Sequence, residues 1–412
     1  MEEDDEALPT DLFFGSVHAR GNNNVKPPLT RAIENGDENE VRQLLATGAD
    51  VNQFGYFHGY GEPPIVTAIK LRHKNLAALL LSHSANVNAA SERGHTPLIR
   101  AAQRNDTRLQ RLLLRHGADP NAVDHSRLCA IFWAVKFQNS CAVADLLAHG
   151  ADVNIAIQKG SSVLHTAATT GNVAIAALLI DRIAAVNAGD DFGDTPLFCA
   201  VRINSFDMAN TLLKAGASVN VRNIDSQTPL HIAAASVHNS IDIAQLLLEY
   251  DALVNVPDRY GCIPLVLSLR SFILREPWSV ARLLIQHGSV LNHPNTVGAL
   301  EWAVLSNGNV DLLRTAVDAG LHLAGLVWAK DLVDGTGSGH SRWLRSEQTE
   351  QKARLIDYIK HTTMNAACLF GICRAAIREH LIVVARGEST YFRIQRLPLP
   401  DIIRLQLLLE DE

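Results

Sequence analysis

Leu146-Leu147-Ala148-His149-Gly150-Ala151-Asp152-Val153-Asn154 reads as the end of one structural unit and the start of the next. The two leucines close an amphipathic helix and face a core. Gly150 stands where that helix stops, a position that favours positive φ. The Ala-Asp-Val-Asn stretch then leads into a turn.

The same phrase recurs along the chain. Asn52, Asn88, Asn121, Asn154, Asn187, Asn220, Asn255 and Asn292 are separated by steps of 36, 33, 33, 33, 33, 35 and 37 residues. Eight residues before each stands a leucine, from Leu44 to Leu284. Four residues before, glycine stands at Gly48, Gly117, Gly150, Gly216 and Gly288, while Ile183 and Asp251 take its place in two repeats. A fixed period of this length is the mark of a repeat architecture. Between the asparagines lie helix starts such as Thr96-Pro97-Leu98, Thr195-Pro196-Leu197 and Thr228-Pro229-Leu230-His231. Threonine caps a helix and proline suits its first turn. The alanine pairs that follow, Ala101-Ala102, Ala167-Ala168 and Ala233-Ala234, let two helices approach closely.

These residues resemble the ankyrin repeat, whose period is about 33 and whose signature includes T-P-L-H-x-A. The resemblance covers residues 25–325, with eight repeats in the asparagine register and a degenerate ninth near Ala299–Gly320. It implies an all-α solenoid of about nine helix-turn-helix repeats. Such arrays contact only neighbouring repeats and offer a broad face suited to binding proteins.

Composition agrees. The 412 residues are 47% hydrophobic and only 6% aromatic, as many small, closely packed helices require. The net charge of -6 gives no reason to expect nucleic acid as the main partner. Met1–Glu6 is acidic where a signal peptide is basic, and no apolar run approaches the ~18 residues of a membrane span. Six scattered cysteines without a C-x-x-C pair suit reduced thiols, hence an expected cytoplasmic or nuclear protein. No enzyme, metal or cofactor signature is present, so no catalytic residue, metal ligand or cofactor is expected. His165 and His231, in the T-P-L-H slot, read as turn-stabilising histidines.

The pattern changes after the array. Residues 1–24 form an N-terminal segment and 326–363 a connecting segment, with a helix expected over Arg345–Lys360. The final segment, 364–412, carries two signals. Leu369, Cys373, Ile377 and Leu381 recur every fourth residue and make one apolar stripe on a helix. Leu397-Pro398-Leu399-Pro400 then forces an extended kink. A tail this short builds little core of its own, so it folds back on the last repeat or awaits another chain.

In this order and place, the two signals resemble a SOCS box, and the whole chain resembles the ankyrin repeat and SOCS box family. The resemblance implies a small helical domain in which Leu369, Cys373, Ile377 and Leu381 bind Elongin C, with Elongin B. It implies that Leu397, Pro398, Leu399 and Pro400 contact cullin-5, which brings a RING partner. Gln406 stands where the family commonly has a tyrosine. The implied function is a non-catalytic substrate adaptor for protein ubiquitination. The alternative is an ankyrin-repeat scaffold without a ligase partner.

Four residues are singled out for holding a target. Tyr56 and Phe57 sit in a long, aromatic finger between the first two repeats, exposed for contact or packed on Leu12-Phe13-Phe14. Arg100 and Trp133 occupy one equivalent position, with Thr67, Thr166, Cys199, Ile232, Leu267 and Trp302, near the face where targets bind. Arginine and tryptophan dominate interface energetics, although Trp133 equally suits core packing. Arg93, Arg100, Arg104, Arg108, Arg111 and Arg115 cluster with Asp106 as the opposing acid in that repeat, a charge pattern for an acidic target or for a solvated helix face.

Overall fold

The structure is a computed structural model, and it describes residues 26–57, 60–236, 240–270, 278–291, 294–307, 310–319, 321, 329 and 353–362. The chain forms two units, one ending at Asp191 and the other starting at Phe192.

The first unit stacks five helix pairs: α1 (Pro28–Asn35) with α2 (Glu38–Ala46), α3 (Pro64–Lys70) with α4 (Lys74–Ser82), α5 (Pro97–Gln103) with α6 (Thr107–Arg115), α7 (Ala130–Lys136) with α8 (Ser140–Ala148), and α9 (Val163–Thr170) with α10 (Val173–Ile180). The second stacks four: α11 (Pro196–Arg202) with α12 (Phe206–Lys214), α13 (Pro229–Ala235) with α14 (Ile241–Glu249), α15 (Pro264–Arg270) with α16 (Trp278–Gln286), and α17 (Pro294–Asn307) with α18 (Val310–Asp318). Within each unit the first helix of a pair packs on the first helix of the next, and the second on the second. We call these the inner and outer helices. The pairs number nine among the described residues, and the ninth is the degenerate repeat expected near Ala299–Gly320.

Periodic residues account for this arrangement. Leu80, Leu113, Leu146, Leu179, Leu212, Leu247 and Leu284 are fully buried, and each such leucine contributes roughly 1.5–3 kcal/mol through burial. Ala68, Ala101, Ala167 and Ala200 are also fully buried, where a larger side chain would push the helices of a pair apart. Caps separate the two helix classes. Thr96 Oγ1 accepts from Ile99 N–H at the start of an inner helix. The outer helices use Asp37, Asp106, Asn139 and Asn172, whose side chains accept from first-turn N–H groups.

Every outer helix of the eight regular repeats ends on a residue with positive φ. Gly48, Gly117, Gly150, Gly216 and Gly288 were expected there; Ser84, Ile183 and Asp251 adopt the same turn at φ values of 64, 63 and 62. The asparagine register uses that turn. Asn121 Nδ2 donates to Gly150 O at 3.0 Å, and its Oδ1 accepts from Asp152 N–H at 2.7 Å. Asn88, Asn154, Asn220 and Asn255 repeat both bonds to the following repeat.

His231 is fully buried. Its Nδ1 accepts from Thr228 N–H at 3.0 Å, and its Nε2 lies 3.2 Å from the Cys262 carbonyl oxygen. Because Nδ1 accepts a backbone N–H, Nε2 is the nitrogen that donates to the Cys262 carbonyl, and burial pulls the pKa below the ordinary value against the pull of that carbonyl. His231 serves as a turn stabiliser.

The aromatic finger departs from the expected all-helical chain, as does an isolated antiparallel bridge between Val123 and Cys129. The finger forms a two-stranded antiparallel hairpin, β1 (Gly55–Phe57) and β2 (Tyr60–Glu62), with Tyr56 opposite Gly61 and Phe57 opposite Tyr60. Gly55 must be glycine, because a Cβ there would lie 2.2 Å from Thr30 Oγ1.

In the connecting segment a helix spans residues 353–362, inside the range expected from sequence at its start and two residues past it at its end. Leu355 and Ile359 are fully buried, and the Arg314 guanidinium of α18 lies 5.5 Å from the Tyr358 ring centre. No described helix is long and apolar enough to cross a membrane.

Candidate functional site

The residues singled out for target binding all lie in the first unit: Tyr56 and Phe57 in the hairpin, Arg100 on α5 and Trp133 on α7, with the hairpin joined to α3 and α5 through Glu62. Tyr56 is 56% exposed at the hairpin. Phe57 is placed in β1, but its side chain lies outside the described residues. Leu12-Phe13-Phe14, which the finger could pack against, lies outside them too. Gly61 O accepts from Glu92 N–H at 2.9 Å, which ties the hairpin to the loop of the next repeat.

Glu62, the last hairpin residue, had no part in the sequence reading. It is 3% exposed, and its carboxylate faces two cations: Lys70 Nζ at 3.1 Å and Arg100 Nη2 at 3.5 Å. A buried carboxylate needs such pairing. Its Oε2 and the Arg100 Nε have no hydrogen-bond partner among the described residues. Arg100 also donates to Gln103 Oε1 at 2.9 Å. Burial pulls Lys70 and Arg100 below their ordinary ranges while Glu62 opposes the shift in both.

The pairing of Glu62 with Lys70 recurs in other repeats. The residue before the cap of the inner helix meets the residue eight positions later at the helix end. Asp194 and Arg202 repeat it at 2.6 Å, and Cys262 Sγ takes Arg270 Nη1 at 3.8 Å. An eight-residue offset between unlike residues was a sequence signal that could have located Glu62.

Trp133 is 7% exposed and is a packed ring. It meets Phe132 edge-on with centres 5.3 Å apart and stacks on Phe137 at 6.1 Å. Lys136 Nζ lies 4.9 Å from its ring centre, within cation–π range. Its Nε1 is a buried donor without a partner among the described residues. Phe137 is 43% exposed and Lys136 is exposed beside it. The described surface thus offers Tyr56, Phe137 and Lys136 to solvent, with Arg100 and Trp133 largely beneath.

The arginine cluster meets acids from other repeats. Arg100 pairs with Glu62 and Arg111 with Asp145 at 2.8 Å. Asp106, the acid of the repeat itself, is held by Lys74 at 2.6 Å and caps α6. Despite the upward push of burial, Lys74 and the Leu109 N–H hold its carboxyl below the usual range.

Among the described residues no group of three or more His, Cys, Asp or Glu is placed to hold a metal ion. Leu369, Cys373, Ile377 and Leu381, and Leu397, Pro398, Leu399 and Pro400, lie outside the described residues.

Two family models match the chain. Ankyrin repeats (3 copies) matches residues 29–124 and 131–223, and Ankyrin repeats (many copies) matches residues 212–267. Neither match extends into residues 364–412. No curated protein matches the chain.

Proposed function

Because the chain carries an array of ankyrin repeats, we propose that it is a binding subunit that holds a target protein on its repeats and presents it to a ubiquitin ligase. Ankyrin repeats act in protein–protein interaction, and the first unit carries the residues suited to it. Phe137 and Lys136 cover a packed Trp133, Tyr56 is exposed at the hairpin, and Arg100 keeps an unused donor. That composition favours peptide and protein contacts. The recruiting half rests on one observation, the order of the stripe Leu369, Cys373, Ile377 and Leu381 and the Leu397-Pro398-Leu399-Pro400 kink after the array. By resemblance to the SOCS box, the stripe binds Elongin C with Elongin B, and the kink contacts cullin-5 and its RING partner. The chain supplies no chemistry. It raises the local concentration of target lysines near the charged conjugating enzyme.

Co-purification tests this. The full chain should capture Elongin B and C, and Leu369→Ala with Cys373→Ala should abolish capture. Pro398→Ala with Pro400→Ala should weaken cullin-5 while sparing Elongin. Failure of the unaltered chain to capture Elongin B and C overturns the ligase reading.

The second reading is a scaffold without a ligase partner. Burial of the stripe Leu369, Cys373, Ile377 and Leu381 against the ninth repeat would favour it; the preceding helix, residues 353–362, already meets that repeat where the Arg314 guanidinium lies 5.5 Å from the Tyr358 ring centre.

A further inference from the structure

The inner-to-outer turns of the second and third helix pairs form an open groove of about 160 Å³, lined by exposed Arg72, Lys74, Arg104 and Asn105 and by Asp106, with buried Ile69 at its base. This volume is well above what one water needs. Three cations meet one acid there. Asp106 is already engaged by Lys74 and by the α6 cap. The Arg72 and Arg104 guanidinium groups have no ion-pair partner among the described residues. Asn105 Oδ1 accepts from Asn139 Nδ2, which leaves its own amino group as a donor. The α4 helix begins at Lys74, on the groove wall, and His73 provides no side-chain cap, so the positive end of that helix adds to the field.

We infer that this groove binds the phosphate of a phosphoserine or phosphothreonine in the protein segment held by the first unit. The inference rests on the protein-binding reading above. Two guanidinium groups and an ammonium, all facing solvent, leave a net positive charge over the groove once Asp106 is counted. A phosphate monoester brings three acceptor oxygens and a charge of about −1.5 to −2, which matches them. The position selects a peptide over other phosphate carriers. Arg104 lies one helical turn from Arg100, the like charge it repels, so the groove borders the arginine singled out for target contact. A segment held at Arg100 passes the mouth of the groove. A membrane surface would instead call for a broad basic face, and the chain has a net charge of -6.

The test presents the full chain with a library of random peptides bearing a fixed central phosphoserine, and with matched libraries bearing serine or glutamate. The phosphoserine library should be retained at least about tenfold better than either, the ratio that one added charge-assisted hydrogen bond gives. Inorganic phosphate in excess should erase the preference, and sulfate of equal ionic strength should act more weakly. Arg72→Glu with Arg104→Glu should remove the preference while keeping retention of the serine library. Arg108→Glu with Arg115→Glu makes the same charge change at equally exposed positions of α6 that do not line the groove, and should leave the preference intact. Equal retention of the phosphoserine and glutamate libraries overturns the inference, as does a preference that survives Arg72→Glu with Arg104→Glu. If all three libraries are retained equally, the phosphate site is refuted while protein binding stands. If none is retained, both readings fall.

Discussion

The side-chain amide of Asn121 donates to the carbonyl oxygen of Gly150, 29 positions further along, at 3.0 Å. Its oxygen accepts from Asp152 N–H at 2.7 Å. One side chain thus grips both sides of the left-handed turn that ends the next outer helix. The asparagine period is a period of inter-repeat staples.

Asn121→Ala should therefore destabilise the first unit by about 1–2 kcal/mol, at roughly 0.5–1.5 kcal/mol per hydrogen bond. Asn121→Asp keeps the acceptor and loses the donor, and should fall between. Urea unfolding monitored by circular dichroism measures both. An unchanged midpoint for Asn121→Ala would refute the staple.

Ile183 holds φ at +63 with a β-branched side chain that is 85% exposed. A left-handed conformation costs a non-glycine residue about 1–2 kcal/mol. Ile183→Gly should recover about 1 kcal/mol after glycine's larger chain entropy is counted. The mirror change, Gly150→Val, should destabilise by a similar amount. Thermal midpoints of the two variants should move in opposite directions.

Glu62 is sealed between Lys70 and Arg100. Removing one partner of a buried pair costs about 3–5 kcal/mol when the remaining charge is stranded. Arg100→Leu should cost less, about 2 kcal/mol, because Lys70 stays at 3.1 Å. Adding Glu62→Gln should recover part of that loss. A double-mutant cycle on unfolding free energy that shows no coupling would mean the ion pair contributes nothing.

Acid should weaken the fold through half-buried His95 and fully buried His231. Burial, followed by Arg100, Arg93, Lys70 and His125, pulls His95 down to about 3. An unfolded histidine titrates near 6.5, so below that pH the unfolded chain binds a proton that the folded chain refuses. Stability is full above pH ~6.5 and falls by up to about 1.4 kcal/mol per pH unit beneath it. His231 is shifted in the same direction by burial. Urea midpoints between pH 7 and 5.5, above the carboxylate range, should show the slope, and His95→Asn should flatten it. A slope that His95→Asn leaves unaltered would exclude this residue as the source.

The architecture was legible because its determinants are local and periodic. Leu146, Gly150 and Asn154 lie within nine residues of sequence and repeat at nearly constant spacing. The outer-helix caps Asp106 and Asn139 were readable by the same rule, yet the louder Thr-Pro-Leu starts hid them. The candidate site was legible only in part. Arg100 stood out by type, but its partner Glu62 lies 38 positions away in a hairpin that interrupts the period. Trp133 was equally suited to packing and to contact. Its stacking on Phe132 and Phe137 depends on ring orientations that the sequence does not specify.

The staples also show where extra chain can be accommodated. Asn88, Asn121 and Asn154 reach their carbonyl partners across 29 positions, Asn220 across 31 and Asn255 across 33, yet the bond is the same. The added residues fall after inner helices: α13 ends at Ala235 and α14 begins at Ile241, while α15 ends at Arg270 and α16 begins at Trp278. These two joints are the natural ports for grafting a foreign loop or a reporter domain, because lengthening them leaves the clasp between successive repeats in register.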